Sequence, residues 1–393
     1  MNRTALVTEV LERLKRVLPV TDRPIALHEP TFVGTEWQYV KECLDTGWVS
    51  SVGNFVDRFA AELASFTGAK YVIPTVNGTA ALHTCLKLVP IEPGDEVLVP
   101  ALTFIATANA VSYCGAIPHV VDSAPDTLGV DPYKLGDYLA DIAEVTVEGC
   151  INRRTGRRIR ALIGVHVLGH PFDVDPIQTI CRRFRLDLVE DAAESLGSYY
   201  KGQHTGTFGT VAALSFNGNK TVTTGGGGAV LTNDATLAAR AAHLTTVAKQ
   251  PHAWRYDHDA IGYNYRMPNL NAALGLAQLE NLPSLLVQKR TLAARYQAAF
   301  ADLPGVEFVA EPVFAKSNYW LNALRLCDAT DGVRDELLEK THQAGILTRP
   351  LWTALHRQQT YQDCPRMALT TAEQLATEVI NLPSSAHLGG SNE

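Results

Sequence analysis

The chain has 393 residues, of which 46% are hydrophobic and 19% charged, and a formal net charge of −7. That length suits one large domain plus a smaller one, or two average domains, and the composition is that of a folded protein able to bury a core without disulfides or metals, while its acidity argues against a general nucleic-acid surface. Seven scattered cysteines with no CxxC pair argue against a disulfide framework or a zinc knuckle.

The opening MNRTALVTEVLERLKRVL lacks the apolar core of a signal peptide and reads as an amphipathic helix with Leu6, Val10, Leu14 and Leu18 on one face. No later run approaches the ~20 apolar residues of a membrane span. The expectation is a cytoplasmic protein with no membrane segment, whose residues 1–25 form an N-terminal helical extension.

From about residue 70, short apolar runs alternate with helical stretches. The runs are 71–76, 96–101, 117–122, 160–167, 186–191, 212–216 and 229–233. Several are nearly continuous in Val, Ile and Leu, the pattern of strands buried on both faces of a mostly parallel sheet. Helices are expected at 79–88, 104–114, 134–142 and 175–184, which gives an α/β layered fold for a large domain over 26–265. Residues 269–304 read as long helices. Strand-like FVA and WLNALRL follow, so residues 266–393 are expected to form a smaller C-terminal α/β domain. The basic cluster RRTGRRIR, 153–160, has a glycine at its centre and reads as a solvated hairpin turn.

In such folds the chemistry gathers at the carboxyl ends of strands, and three of those ends carry unusual residues. Asp191 follows the run LDLV. A carboxylate there is costly unless something cationic faces it, although Asp191 could equally cap a helix opening at AAES. Lys220 lies in SFNGNKTVTTGGGG, 215–228, between a strand and four glycines. A lysine with a lowered pKa condenses with carbonyls, whereas a loop lysine would do nothing. TVNGTAALH, 75–83, takes a strand into a helix whose start suits a phosphate or is simply capped. Together the three match one ligand, pyridoxal phosphate (PLP), which has a phosphate, a ring nitrogen that an acid keeps protonated, and an aldehyde.

EDAAES, the SxxxxK spacing from Ser215 to Lys220, and IGYNYRMPN, 261–269, resemble the DegT/DnrJ/EryC1/StrS sugar aminotransferases. Within that family TGWVSSVG, TFIATANA, FNGNK with TTGGGG, and TRPLW resemble the LegC-type branch. The resemblance implies a fold-type-I PLP-dependent transferase that moves an amino group from glutamate to C4 of a UDP-linked 4-keto-6-deoxy-N-acetylhexosamine, for surface glycans of the legionaminic acid or bacillosamine type. A GDP- or dTDP-linked keto sugar is the alternative.

The resemblance also implies residue roles. Lys220 is the Schiff-base lysine and proton shuttle, Asp191 pairs with the pyridine nitrogen, and Glu194 lies near the ring hydroxyl. Phe104 stacks on the ring, and Thr79, Ala80 and Ser215 hold the phosphate. Asn264 reaches the phosphate of the other subunit of a homodimer with shared active sites. Arg266 is a candidate for the donor's carboxylate, and Arg349, Trp352 and His356 for the sugar nucleotide. The Tyr263–Tyr265 pair is read as packing. His166 and His170 are read as packed or hydrogen-bonded rather than as metal ligands. A sugar dehydratase of the same fold would carry His at the position of Lys220, and a silent scaffold or regulator would be expected to lose Lys220 or Asp191.

Overall fold

The seven apolar runs become seven strands of one nine-stranded central sheet in the computed structural model, which describes residues 3–390. These strands are β1 (Tyr71–Thr75), β2 (Glu96–Pro100), β3 (Ile117–Val121), β4 (Ala143–Thr146), β5 (Gly149–Asn152), β6 (Arg158–Val165), β7 (Asp187–Asp191), β8 (Val211–Ser215) and β9 (Gly228–Thr232). The main path runs β1-β9-β8-β7-β6-β2-β3. Only β9 is reversed on it, antiparallel to β1 and β8, while the other pairings are parallel. Every residue of β2 and β9 is buried, as the continuous apolar runs require of strands covered on both faces.

The helices in chain order are α1 (Arg3–Val17), α2 (Glu36–Thr46), α3 (Asn54–Thr67), α4 (Gly78–Leu88), α5 (Ala106–Tyr113), α6 (Pro132–Ile142), α7 (Val174–Phe184), α8 (Ala235–Thr245), α9 (Asn269–Phe300), α10 (Asp331–Gln343) and α11 (Thr370–Glu378). The stretch read as long helices is one 32-residue helix, α9, which continues through Pro283. Its first half packs Ala272, Leu276 and Leu279 against Phe59 of α3 and Phe216. Its second half packs Leu292, Tyr296 and Phe300 against Val7, Val10 and Leu14 of α1. Helix α1 is thus built into a core with the second half of α9. A four-stranded sheet of β10 (Val306–Phe308), β11 (Asn322–Leu326), β12 (Arg349–Pro350) and β13 (Val379–Leu382) adds Val306, Leu324, Ile380 and Leu382 to the same core. No helix among the described residues is long and apolar enough to cross a membrane.

The basic cluster forms the turn between β5 and β6. Its arginines find local carboxylates: Arg154 pairs with Asp141, Arg158 with Asp95 at 2.8 Å, and Arg160 with Asp187 at 3.0 Å. His166 is fully buried, stacked on Phe172, with Nε2 3.0 Å from Glu190.

Glu190 also accepts the backbone N–H groups of Gly206, Phe208 and Gly209, each at 2.7 Å. Burial would raise its carboxyl, but His166 and these N–H groups bring it below its ordinary value. A carboxylate depressed on folding stabilises above the ordinary carboxylate range, and that contribution is lost as pH falls through the depressed value. Glu190→Ala strands four hydrogen-bonding partners. It is expected to lower stability by about 3–5 kcal/mol in denaturant titrations at neutral pH, with the difference from wild type narrowing in acid.

Candidate active site

The carboxyl ends of β1, β7 and β8 open on one cavity of about 850 Å³, lined also by Trp320 and Trp352. Asp191, the last residue of β7, is 8% exposed. Its Oδ2 accepts the Thr107 hydroxyl at 2.8 Å, and its Oδ1 accepts the Ala193 N–H at 3.2 Å. Thr107 is held in turn by Thr103 at 2.7 Å. Residues 192–198 form turns and no helix, so Asp191 does not cap one. Burial pushes its carboxyl above the ordinary value, against the pull of Thr107, Ala193 and the Lys220 charge. A cationic ring nitrogen would supply the partner that this buried acid lacks.

Lys220 follows β8 by a short turn. Its Nζ lies 3.3 Å from Glu194 Oε1 and 3.8 Å from the centre of the Trp320 ring, a cation–π contact. The Trp320 indole N–H also donates to the Asn219 carbonyl at 2.8 Å, so one side chain steadies both the lysine and the turn that carries it. Glu194 is 6% exposed. Burial pushes its carboxyl up to about 7, against the Lys220 charge and the Leu168 N–H, which donates to Oε2 at 2.9 Å. Leu168 adopts a left-handed backbone, φ 57°, to present that N–H, and strain of this kind persists only where its surroundings enforce it.

Asn77, Gly78, Thr79 and Ser215 line the opposite wall. The first N–H groups of a helix have no partner within it, and those of Gly78 and Thr79 open α4 at this wall. The backbone approaches closely here: a Cβ on Gly78 would lie 2.7 Å from Ser215 Cβ, and one on Gly228 would lie 2.5 Å from the Asn77 carbonyl. The last glycine of TTGGGG therefore lets β9 reach the Asn77 turn rather than a ligand.

Phe104, 58% exposed on this monomer, lines the cavity, as do Arg349 and Trp352. Four expected positions lie off its wall in the single chain. Ala80 is buried, and its N–H is taken by Asn77 Oδ1 at 2.7 Å as the cap of α4. His356 is bound to Glu373 Oε1 at 2.9 Å, away from the cavity. Arg266 is half-buried, with burial lowering its pKa and Asp57 the nearest opposing charge. Asn264 is exposed on the surface. Trp320, Thr107, Leu168 and His28 are site features that the sequence did not single out. Trp320 lies about a hundred residues from Lys220, and no local motif ties the two.

The family model for the DegT/DnrJ/EryC1/StrS aminotransferases matches residues 31–392. The GDP-perosamine synthase of Caulobacter vibrioides is 38% identical over 376 residues, covering 94% of this chain and 95% of that one. EpsN of Bacillus subtilis, which carries the name of a pyridoxal phosphate-dependent aminotransferase, is 37% identical over 336 residues, or 86% of this chain and 83% of its own. A crystal structure of a family aminotransferase from Brucella abortus superposes with a TM-score of 0.81 at 29% identity, covering 90% of each chain. With an amine, an acid and a helix start facing one cavity, the chain belongs to the DegT/DnrJ/EryC1/StrS aminotransferase family and is a pyridoxal phosphate-dependent sugar aminotransferase.

Proposed function

We propose that the chain moves the amino group of glutamate to C4 of a nucleotide-linked 4-keto-6-deoxy sugar. The observation that carries this reading is the meeting of Lys220, Glu194 and Asp191 in a cavity also lined by Thr79 and Ser215. When bound, pyridoxal phosphate supplies an aldehyde and an electron-accepting ring. Lys220 is the amine within reach of that aldehyde and the base that moves a proton to sugar C4. Asp191 would hold the ring nitrogen, Phe104 would cover the ring, and Thr79 and Ser215 would hold the phosphate. Glu194 would lie near the ring hydroxyl, and it keeps Lys220 in place by pairing with its ammonium when the lysine is free. Arg349 has no ion pair among the described residues and stands with Trp352 on the wall open to substrate, where a phosphate of the sugar nucleotide would be its partner.

Two nucleotides are supported. TGWVSSVG and TRPLW resemble the LegC-type branch and favour a UDP-linked 4-keto-6-deoxy-N-acetylhexosamine. The similarity to a GDP-perosamine synthase favours a GDP-linked sugar. Incubating the enzyme with glutamate and UDP-, GDP- and dTDP-linked 4-keto sugars should give 2-oxoglutarate and a 4-amino product with one nucleotide well ahead of the others. No amination of any keto sugar would overturn the reading. Nucleotide contacts lie away from the reacting carbon and act by orientation, so the free keto sugar is expected to react far more slowly.

A homodimer that shares its sites is part of this proposal. It is supported by the placement of Asn264 on the surface, outside its own cavity. Asn264→Ala is expected to weaken PLP binding. Mixed dimers of Asn264→Ala and Lys220→Ala chains should recover activity from one intact site, whereas no recovery would place the whole site within one chain.

A further inference from the structure

Behind the cavity wall lies a cation that the aminotransferase reading does not use. Lys289 of α9 is 1% exposed. Its ammonium donates to His28 Nε2 at 2.9 Å, to the Trp320 carbonyl at 3.2 Å and to the Ser384 carbonyl at 2.6 Å. All three protons have acceptors, yet no carboxylate among the described residues pairs with it. Buried lysines are rarely left without a countercharge, and burial pushes this one down to about 7. His28 and Trp320, two of its three partners, both line the cavity.

While Lys289 is charged, the contact also sets the state of His28. A ring nitrogen that accepts from an ammonium carries no proton, so the neutral ring holds its proton on Nδ1. That atom is buried and has no hydrogen-bond partner among the described residues. Burial and the charges of Lys289, Lys220 and His387 all oppose charging the ring. Glu29 and Arg23 face His387, and Glu194 faces Lys220. None of these carboxylates bonds to Lys289. The arrangement is a buried lysine one hydrogen bond from an imidazole that lines the cavity.

We propose that Lys289, acting through His28, answers an anionic group (a carboxylate or a phosphate) of a ligand in the cavity, and that binding such a ligand draws a proton onto Lys289. This rests on the functional reading only in taking the cavity as the place where substrates bind. The anion supplies the missing countercharge and so favours the charged lysine. By linkage the charged lysine favours the anion equally. Proton uptake is greatest just above neutral pH, where the free protein has lost the proton and the complex keeps it. Uptake vanishes well below pH 7, where Lys289 is already charged, and affinity falls as pH rises. A purely structural Lys289, tying residue 28 to residues 320 and 384, would affect stability without changing uptake.

The test is calorimetric titration of the holoenzyme with 2-oxoglutarate, and separately with UDP and GDP, slightly above neutral pH in two buffers of different ionisation heat. Wild type should take up protons with at least one ligand. Uptake with 2-oxoglutarate identifies the carboxylate as the partner, and uptake with a nucleotide identifies the phosphate. Lys289→Met should lose the uptake and about tenfold in affinity, within the usual range of such couplings. Lys289→Arg should keep the affinity and lose the uptake, because a guanidinium does not titrate there. The arginine variant carries the test if the methionine variant does not fold. Wild-type uptake in Lys289→Arg, or wild-type affinity in a folded Lys289→Met, overturns the proposal. Uptake that depends on Lys289 without amination of any keto sugar would sink the functional reading and leave this inference standing.

Discussion

Lys220→Ala is expected to lower turnover by about a thousandfold or more, because in the proposed mechanism one side chain supplies both the reactive amine and the proton transfer. Glu194 and Asp191 would remain in place, so PLP should still bind without a covalent link and the protein should stay folded. The change has a second consequence. Without the ammonium 3.3 Å away, Glu194 loses a charge that holds its carboxyl down, and its pKa should climb above the value of about 7 set mainly by burial. The cofactor's absorbance should therefore titrate differently in the variant. Substantial turnover by Lys220→Ala would move the chemistry to another residue.

Asp191→Asn is the second large effect. The amide is nearly isosteric and can keep the Thr107 and Ala193 hydrogen bonds, so the melting temperature should change little. A neutral side chain cannot hold a positive charge on the ring nitrogen. Breaking a buried pair of this kind costs about 3–5 kcal/mol, and each 1.36 kcal/mol is tenfold in rate, so kcat should fall by about a hundredfold or more. An unchanged kcat would reduce Asp191 to a turn-building residue that binds the Ala193 N–H.

The parts of this molecule that were legible in the sequence are those governed by local pattern. The runs at 71–76, 96–101 and 186–191 read as buried strands because sheet burial on both faces demands continuous apolar residues. Lys220, Asp191 and the Asn77 turn stood out because each follows such a strand directly. The reversed β9 could not be read, since an apolar run looks the same in either direction. The β4–β5 hairpin is short and partly exposed, and carries no comparable run. Helices α2 and α3 lie in a stretch that gave no prediction, although Phe55, Phe59 and Leu63 are buried there.

At the site, several contacts join residues that no local motif ties together. Trp320 reaches Lys220 from the chain around β11, which lines the cavity with Leu321 as well. His28 and Lys289 meet across 261 residues. His356 was read as a sugar contact from its place in RPLWTALH, but Glu373, a helix away, holds its ring. Ala80 was named for the phosphate, yet the cap at Asn77 takes its N–H. In each case a partner distant in the chain, or a nearby hydrogen bond, sets what the group touches in the single chain.

Borohydride reduction of the purified, PLP-loaded protein, followed by peptide mapping, tests the proposed attachment of pyridoxal phosphate to Lys220. The cofactor's visible absorbance should be lost and its mass added to the peptide carrying Lys220. Added mass on any other lysine, Lys289 included, or none on the Lys220 peptide, would contradict it.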